Sequence, residues 1–157
     1  MSLTYRIGDA TCPRERPAAI VHVVNDKGLW GAGFTAALDY AYLGRPGIEY
    51  RNWAQGRLQG SAEPFGLDGV LVQKLDDGLW LFHLCAQQGV GRGQRRVRYD
   101  SLEFCLEQVA AHPPVDNTSF HMPRIGTGYG GGSWEIVEEI LHRTIVPHFP
   151  TYVYDLG

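Results

Sequence analysis

Met122-Pro123-Arg124-Ile125-Gly126-Thr127-Gly128-Tyr129-Gly130-Gly131-Gly132-Ser133-Trp134 is the stretch that decides the fold of this 157-residue chain. An apolar, strand-like run from Ser119 to Met122 feeds a loop with five glycines in the seven positions 126–132. The loop opens into an amphipathic segment in which Ser133 reads as an N-cap and Ile136, Val137, Ile140 and Leu141 form one helical face. A strand, a glycine loop and a helix N-terminus make an anion site. Without Cβ atoms the backbone approaches a phosphate closely, its N–H groups converge on the oxygens, and the helix adds its positive end. The spacing matches neither common phosphate loop, because no Gly-Lys-Ser/Thr follows and the glycines come late in the chain. It implies a nucleotide-like ligand of another kind, although the same run also reads as a plain surface loop.

The rest of the chain frames that reading. Its length suits one domain over residues 1–157, able to bury about two-thirds of the surface that the unfolded chain exposes. The fractions of 44% hydrophobic and 20% charged residues are those of a soluble protein, and the 20 glycines are an excess that falls in loops. A net charge of −3 argues against broad attraction to nucleic acid. The local exception is Arg92, Arg95, Arg96 and Arg98, which either steer an anionic ligand or form a solvated loop. Cys12, Cys85 and Cys105 are odd in number and widely spaced, which suits buried thiols in a reducing cytoplasm better than a disulfide or zinc framework. No export signal or membrane span is expected.

Along the chain, strands alternate with helices. Leu3 to Ile7 reads as a short strand, and Ala18 to Val24 as a strand buried on both faces. The second of these ends at Asn25-Asp26-Lys27-Gly28, and Leu29-Trp30-Gly31-Ala32-Gly33-Phe34 makes another glycine turn before a helical segment from Thr35 to Tyr42. Residues 44–69 show only a short helix around Glu49 to Gln55. Val70 to Lys74 and Leu79 to Leu84 flank Asp76-Asp77-Gly78 as a hairpin. A polar loop from Gln87 to Arg98 precedes a helix from Asp100 to Ala111, stopped by Pro113-Pro114. Thr151 to Asp155 reads as a last strand. This order predicts a mixed sheet covered on both sides, a three-layer α/β/α domain. In such sheets ligands collect at the carboxyl ends of strands, so loops 28–34 and 126–132 are expected side by side, holding a diphosphate.

These residues resemble the macrodomains, a family that binds ADP-ribose. The resemblance runs through Gly8-Asp9, Val23-Val24-Asn25 with Gly31-Ala32-Gly33, and Pro123-Arg124-Ile125-Gly126-Thr127-Gly128, and covers essentially the whole chain. Met-Pro-Arg-Ile-Gly-x-Gly followed by Trp-Glu-x-Val is similar to the branch that removes ADP-ribose from acidic side chains. His22 with the Asn25–Gly33 loop resembles the related ADP-ribose-1″-phosphate phosphatases.

The resemblance implies that Asp9 accepts from the adenine amino group beside the Ala10 amide, with Tyr154 and Leu156 next to the base. It implies that Asn25 contacts the distal ribose. Gly31, Ala32, Gly33, Phe34, Ile125, Gly126, Thr127, Gly128 and Tyr129 would line the diphosphate and that ribose. The blander roles are a turn for Asp9 and Asn25, end-of-sheet packing for Tyr154 and Leu156, and satisfied core histidines for His22 and His83. Better-known members of the glutamate-ester branch use a lysine and an aspartate where this chain has Gln87 or Gln88 and Gly130, so a lysine nucleophile is excluded. The expected activity is hydrolysis by a positioned water. In that scheme the Gly130 backbone holds the water, Tyr129 orders it or stacks on the ribose, and Asp26 is the nearest candidate base. The alternatives are a non-catalytic ADP-ribose reader, and a phosphatase or a hydrolase of ADP-ribosylated nucleic acid. Expected partners are ADP-ribose and ADP-ribosylated proteins, with no metal, cofactor or membrane, and the chain is expected to be a monomer.

Overall fold

A computed structural model describes residues 2–58 and 63–157. Six strands form one sheet: β1 (Leu3–Ile7), β2 (Ala18–Asn25), β3 (Val70–Asp76), β4 (Leu79–Gln87), β5 (Ser119–Met122) and β6 (Thr151–Asp155). Their spatial order is β1-β6-β5-β2-β4-β3, with every neighbouring pair parallel except β3 and β4. The helices are α1 (Phe34–Ala41), α2 (Arg45–Ala54), α3 (Tyr99–Ala111) and α4 (Trp134–Arg143).

Strand β2 explains the layering. Its side chains alternate across the sheet, so Ala19 and Val21 join Leu102, Leu106, Ile140 and Leu141 of α3 and α4 in one core. Ala18 and Ile20 pack with Leu38 of α1 on the other face, and Val24 with Tyr50 and Trp53 of α2. The sheet is thus covered on both sides, as its uninterrupted apolar sequence predicts. The Asp77-Gly78 turn closes the β3–β4 hairpin with Gly78 at φ +70°.

Four details differ from the sequence reading. Helix α2 starts at Arg45 rather than near Glu49, because Gly44 and Pro46, which read as loop residues, stand at its N-cap and first turn, where proline is favoured. Strand β4 runs on to Gln87, and Gln87 bridges Val97 across the loop expected to be purely polar. Ser133 holds the N-cap position of α4 without making a side-chain capping bond, and Ile136 is 41% exposed, outside the buried face of Val137, Ile140 and Leu141. Cys85 and Cys105 are buried, but Cys12 is exposed.

A candidate anion-binding cleft between two glycine loops

Because β2 and β5 are adjacent and parallel, the loops leaving their carboxyl ends lie next to each other. They border a cleft of about 1000 Å³, a size suited to a nucleotide-like ligand. Asn25, residues 29–35 without interruption, Gln87, residues 90–94 and residues 123–131 form its walls, with His22, Val23 and Val24 beneath.

The first loop is shaped from within. Asn25 Oδ1 accepts from the Lys27 and Leu29 N–H groups at 2.9 and 3.2 Å, and its Nδ2 donates to the Leu29 carbonyl at 2.7 Å. This is an Asx-type closure of the turn. Tyr50 donates to the Asn25 carbonyl at 2.7 Å, and Trp30 Nε1 donates to Asp39 at 2.8 Å, which fixes both ends of the loop. Gly33, at φ +63°, caps α1 with no side-chain bond. Among the described residues, the N–H groups of Ala32, Gly33 and Phe34 have no acceptor.

The second loop is shaped from outside. The Gly130 carbonyl accepts from the N–H groups of Arg96 and Val97 at 2.8 and 3.0 Å, and a Cβ on Gly130 would lie 2.7 Å from the Gly126 oxygen. Gly130 is therefore required by packing. Gly128 differs: its φ is not left-handed, and a Cβ there would meet nothing within 4 Å of protein. The N–H groups of Gly126, Gly128, Tyr129 and Gly130 likewise find no acceptor among the described residues. Arg124 anchors the loop by a bidentate pair with Asp155 at 2.7 and 3.0 Å.

Tyr129 closes one side of the cleft. Its ring lies 3.8 Å from where a Gly33 Cβ would be, and the Arg92 guanidinium carbon is 5.0 Å from its ring centroid. Arg92 also donates to the Tyr129 hydroxyl at 3.2 Å. Arg92 and Arg124 line the cleft, and among the described residues no carboxylate does. Asp26 is not on its wall: Asp26 Oδ1 accepts from the Gly89 N–H at 2.8 Å and so ties the end of β2 to the following loop. Gln87 does line the cleft, with its amide donating to the Gly89 carbonyl at 3.3 Å.

The residues expected at an adenine end form a separate corner. Asp9 Oδ1 accepts from the Thr11 N–H and hydroxyl at 2.9 and 2.7 Å, a local turn, and Ala10 is buried. Tyr154 is 8% exposed, and its hydroxyl bonds Arg6 at 3.0 Å and His121 at 2.7 Å, whereas Leu156 is 86% exposed. None of Asp9, Ala10, Tyr154 and Leu156 lines the 1000 Å³ cleft.

Sequence reasoning missed the link between His22 and His83. These residues are register partners in the middle of β2 and β4, and His22 Nε2 lies 2.9 Å from His83 Nδ1. The signal was a histidine at the centre of each of two apolar strands. Burial pushes the His22 imidazole down to about 3, and burial together with His22 pushes His83 down as well, so both rings are neutral at pH 7.

Comparison with known proteins places this geometry. A macrodomain protein from Streptomyces coelicolor is 33% identical, with a TM-score of 0.83, and the match covers 99% of this chain and 100% of that one. The chain belongs to the macrodomain family. Mouse chromodomain-helicase-DNA-binding protein 1-like is 31% identical over 170 residues; the match takes in 98% of this macrodomain but only 18% of the relative's length. DarTG of Thermosipho africanus, solved in complex with ADP-ribose, shares the fold at 14% identity and a TM-score of 0.64, over 87% of this chain and 37% of that one. No family model matches the chain.

Proposed function

We propose that this macrodomain binds ADP-ribose and hydrolyses the ester that joins it to aspartate or glutamate side chains of modified proteins. The observation that carries the binding is the set of unpaired backbone N–H groups, at Ala32, Gly33 and Phe34 on one side and Gly126, Gly128, Tyr129 and Gly130 on the other. They belong to one cleft that also holds two arginines and no carboxylate among the described residues. Such a site favours a diphosphate, because each oxygen finds a fixed donor and no like charge opposes it. DarTG, which shares this fold over 37% of its chain, was solved in complex with ADP-ribose, and this supports the same choice of ligand.

The hydrolysis proposed is chemically modest. A carboxylate whose acid has a pKa of ~4 leaves an anomeric carbon without a strong general acid, so positioning a water supplies much of the effect. The Gly130 carbonyl is already occupied by Arg96 and Val97, which leaves its N–H to orient a water or a phosphate oxygen. Tyr129, beside the first loop, is placed to confine that water. Asp26 is directed to Gly89 and lies off the cleft wall, so it takes no part in that step.

A second reading, a reader of ADP-ribose without turnover, is favoured by one feature of the chain: Gln87 or Gln88, and Gly130, stand where the resemblance implies the lysine and aspartate of the better-known hydrolases. One experiment separates the two. The protein is titrated with ADP-ribose by calorimetry and incubated with glutamate-linked and serine-linked ADP-ribosylated proteins. Binding with release from the glutamate-linked substrate supports the hydrolase, binding without release leaves the reader, and no binding removes both.

A further inference from the structure

The polar chain under the cleft has a direction that hydrogen-bond chemistry fixes. Gln73 Nε2 donates to the Arg45 carbonyl at 3.2 Å, so Gln73 Oε1 is the atom facing His83 Nε2, at 3.0 Å. An amide oxygen only accepts, which puts the His83 proton on Nε2 and leaves a lone pair on Nδ1. That lone pair requires a proton on His22 Nε2, 2.9 Å away, and leaves His22 Nδ1 as a bare acceptor. Reversing the Gln73 amide would set its oxygen against the Arg45 carbonyl, and a second proton on His83 would set its Nδ1–H against the His22 N–H. On His22, burial disfavours a second proton and keeps Nδ1 bare.

His22 is 2% exposed, and its Nδ1 has no partner among the described residues. Yet the same ring forms part of the cleft wall, between Trp30, edge-on with centroids 5.5 Å apart, and Phe34 at 6.1 Å. Buried polar atoms are nearly always satisfied, so an unpartnered one calls for an explanation, and a bound ligand supplies one for a residue that lines the cleft. We infer that His22 Nδ1 accepts a hydrogen bond from a hydroxyl of the bound molecule, and that the Gln73–His83–His22 chain holds this lone pair in place. Resting on the ADP-ribose reading, the donor is a hydroxyl of the distal ribose, since His22 lines the cleft with the first loop, whereas the corner expected to take the adenine end does not line it. Phosphate oxygens only accept at neutral pH, so a neutral imidazole lone pair repels them. His22 is thereby a specificity-determining residue for the sugar end of the ligand, acting beside the amides that serve the diphosphate.

The test compares ADP-ribose with ADP, which lacks the distal ribose. In calorimetry, His22→Phe keeps a ring of similar size and is expected to weaken ADP-ribose roughly tenfold while changing ADP by less than about twofold. Equal losses for both ligands, or no loss for either, overturn the assignment. Nitrogen-15 NMR of the unmodified protein gives the answer independently of how the variant folds. The His22 Nδ1 resonance is expected in the unprotonated range and should shift on saturation with ADP-ribose but not with ADP. An Nδ1 resonance that stays in place while ADP-ribose saturates the protein overturns the role of His22 and leaves the ligand standing. Absence of ADP-ribose binding removes the ligand reading and this assignment together.

Discussion

Two polar chains lie on the same face of the sheet, under the cleft and beside it, and they end differently. Beside the cleft, Arg6 pairs with Glu15 and donates to Tyr154 at 3.0 Å. Tyr154 in turn bonds His121 Nδ1 at 2.7 Å, His121 Nε2 meets Ser119 at 2.8 Å, and Ser119 donates to the Pro17 carbonyl at 3.3 Å. Every member has a partner. Under the cleft, Gln73, His83 and His22 form a similar run that stops at an unpaired nitrogen. A closed chain fixes strands β1, β5 and β6 to one another; an open one is an incomplete set of bonds awaiting a donor. The difference separates scaffold from site without reference to any ligand.

Acid is the strongest way to attack both chains at once. Burial pushes His121 down to about 4 and His22 down to about 3, with His83 also well below its ordinary value of 6.5. Between those values and 6.5 the unfolded chain binds more protons than the folded one, so stability is complete above pH 6.5 and is lost as pH falls. The expected slope is roughly 1 kcal/mol per pH unit for each histidine, or roughly 3–4 kcal/mol for the three together. Glu15, held at about 2 mainly by Arg6, adds a loss of the same sign below its ordinary 4.5. Urea melts between pH 7.5 and 5 measure this, and a flat profile would mean that the histidines titrate freely. Gly128→Glu strikes the cleft alone. It places a carboxylate in space free of protein and among unpaired amides, so ADP-ribose affinity should fall roughly a hundredfold or more, about 3 kcal/mol, with melting temperature nearly unchanged. Retained affinity would show that the loops do not hold the diphosphate.

The sequence made the frame of this comparison readable but not its contents. All six strands and the order of strand, glycine loop and helix followed from apolar runs and turn residues, because those are local signals. The two loops could be placed side by side because β2 and β5 end in the same pattern. The hydrogen bonds that decide what each residue does were not legible. Asn25 is used up largely in closing its own turn, and Asp26 is directed to Gly89, 63 residues away in sequence. The His22–His83 pair depends on the register of two strands that are separated by two helices and strand β3, and no spacing along the chain encodes it. Likewise Gly130 and Gly128 read alike as letters, whereas only the folded loop, which brings the Gly126 carbonyl to 2.7 Å from a Cβ at position 130, shows that the first is needed by the protein and the second leaves room for something else.

Asp9 stands at the edge of the closed corner with one oxygen committed: Oδ1 serves Thr11, while Oδ2 has no partner among the described residues. If that free oxygen receives the adenine amino group, Asp9→Ala should weaken ADP-ribose by about 1.5–3 kcal/mol, the range for a hydrogen bond to a charged group. An unchanged calorimetric affinity would restrict Asp9 to its turn.

Tyr154→Phe is the mildest change and the sharpest test of the closed chain. It keeps the ring, and with it any contact to a neighbouring base, but removes the hydroxyl that joins Arg6 to His121. His121 Nδ1 and one Arg6 N–H then lose the partner they share. The expected cost is about 1–2 kcal/mol of stability, read as a lower melting temperature, with ADP-ribose affinity unchanged. Suppose instead that affinity fell and stability held. The hydroxyl would then be working for the ligand, and the corner would have to be counted as part of the site, continuous with the cleft whose own chain ends at His22.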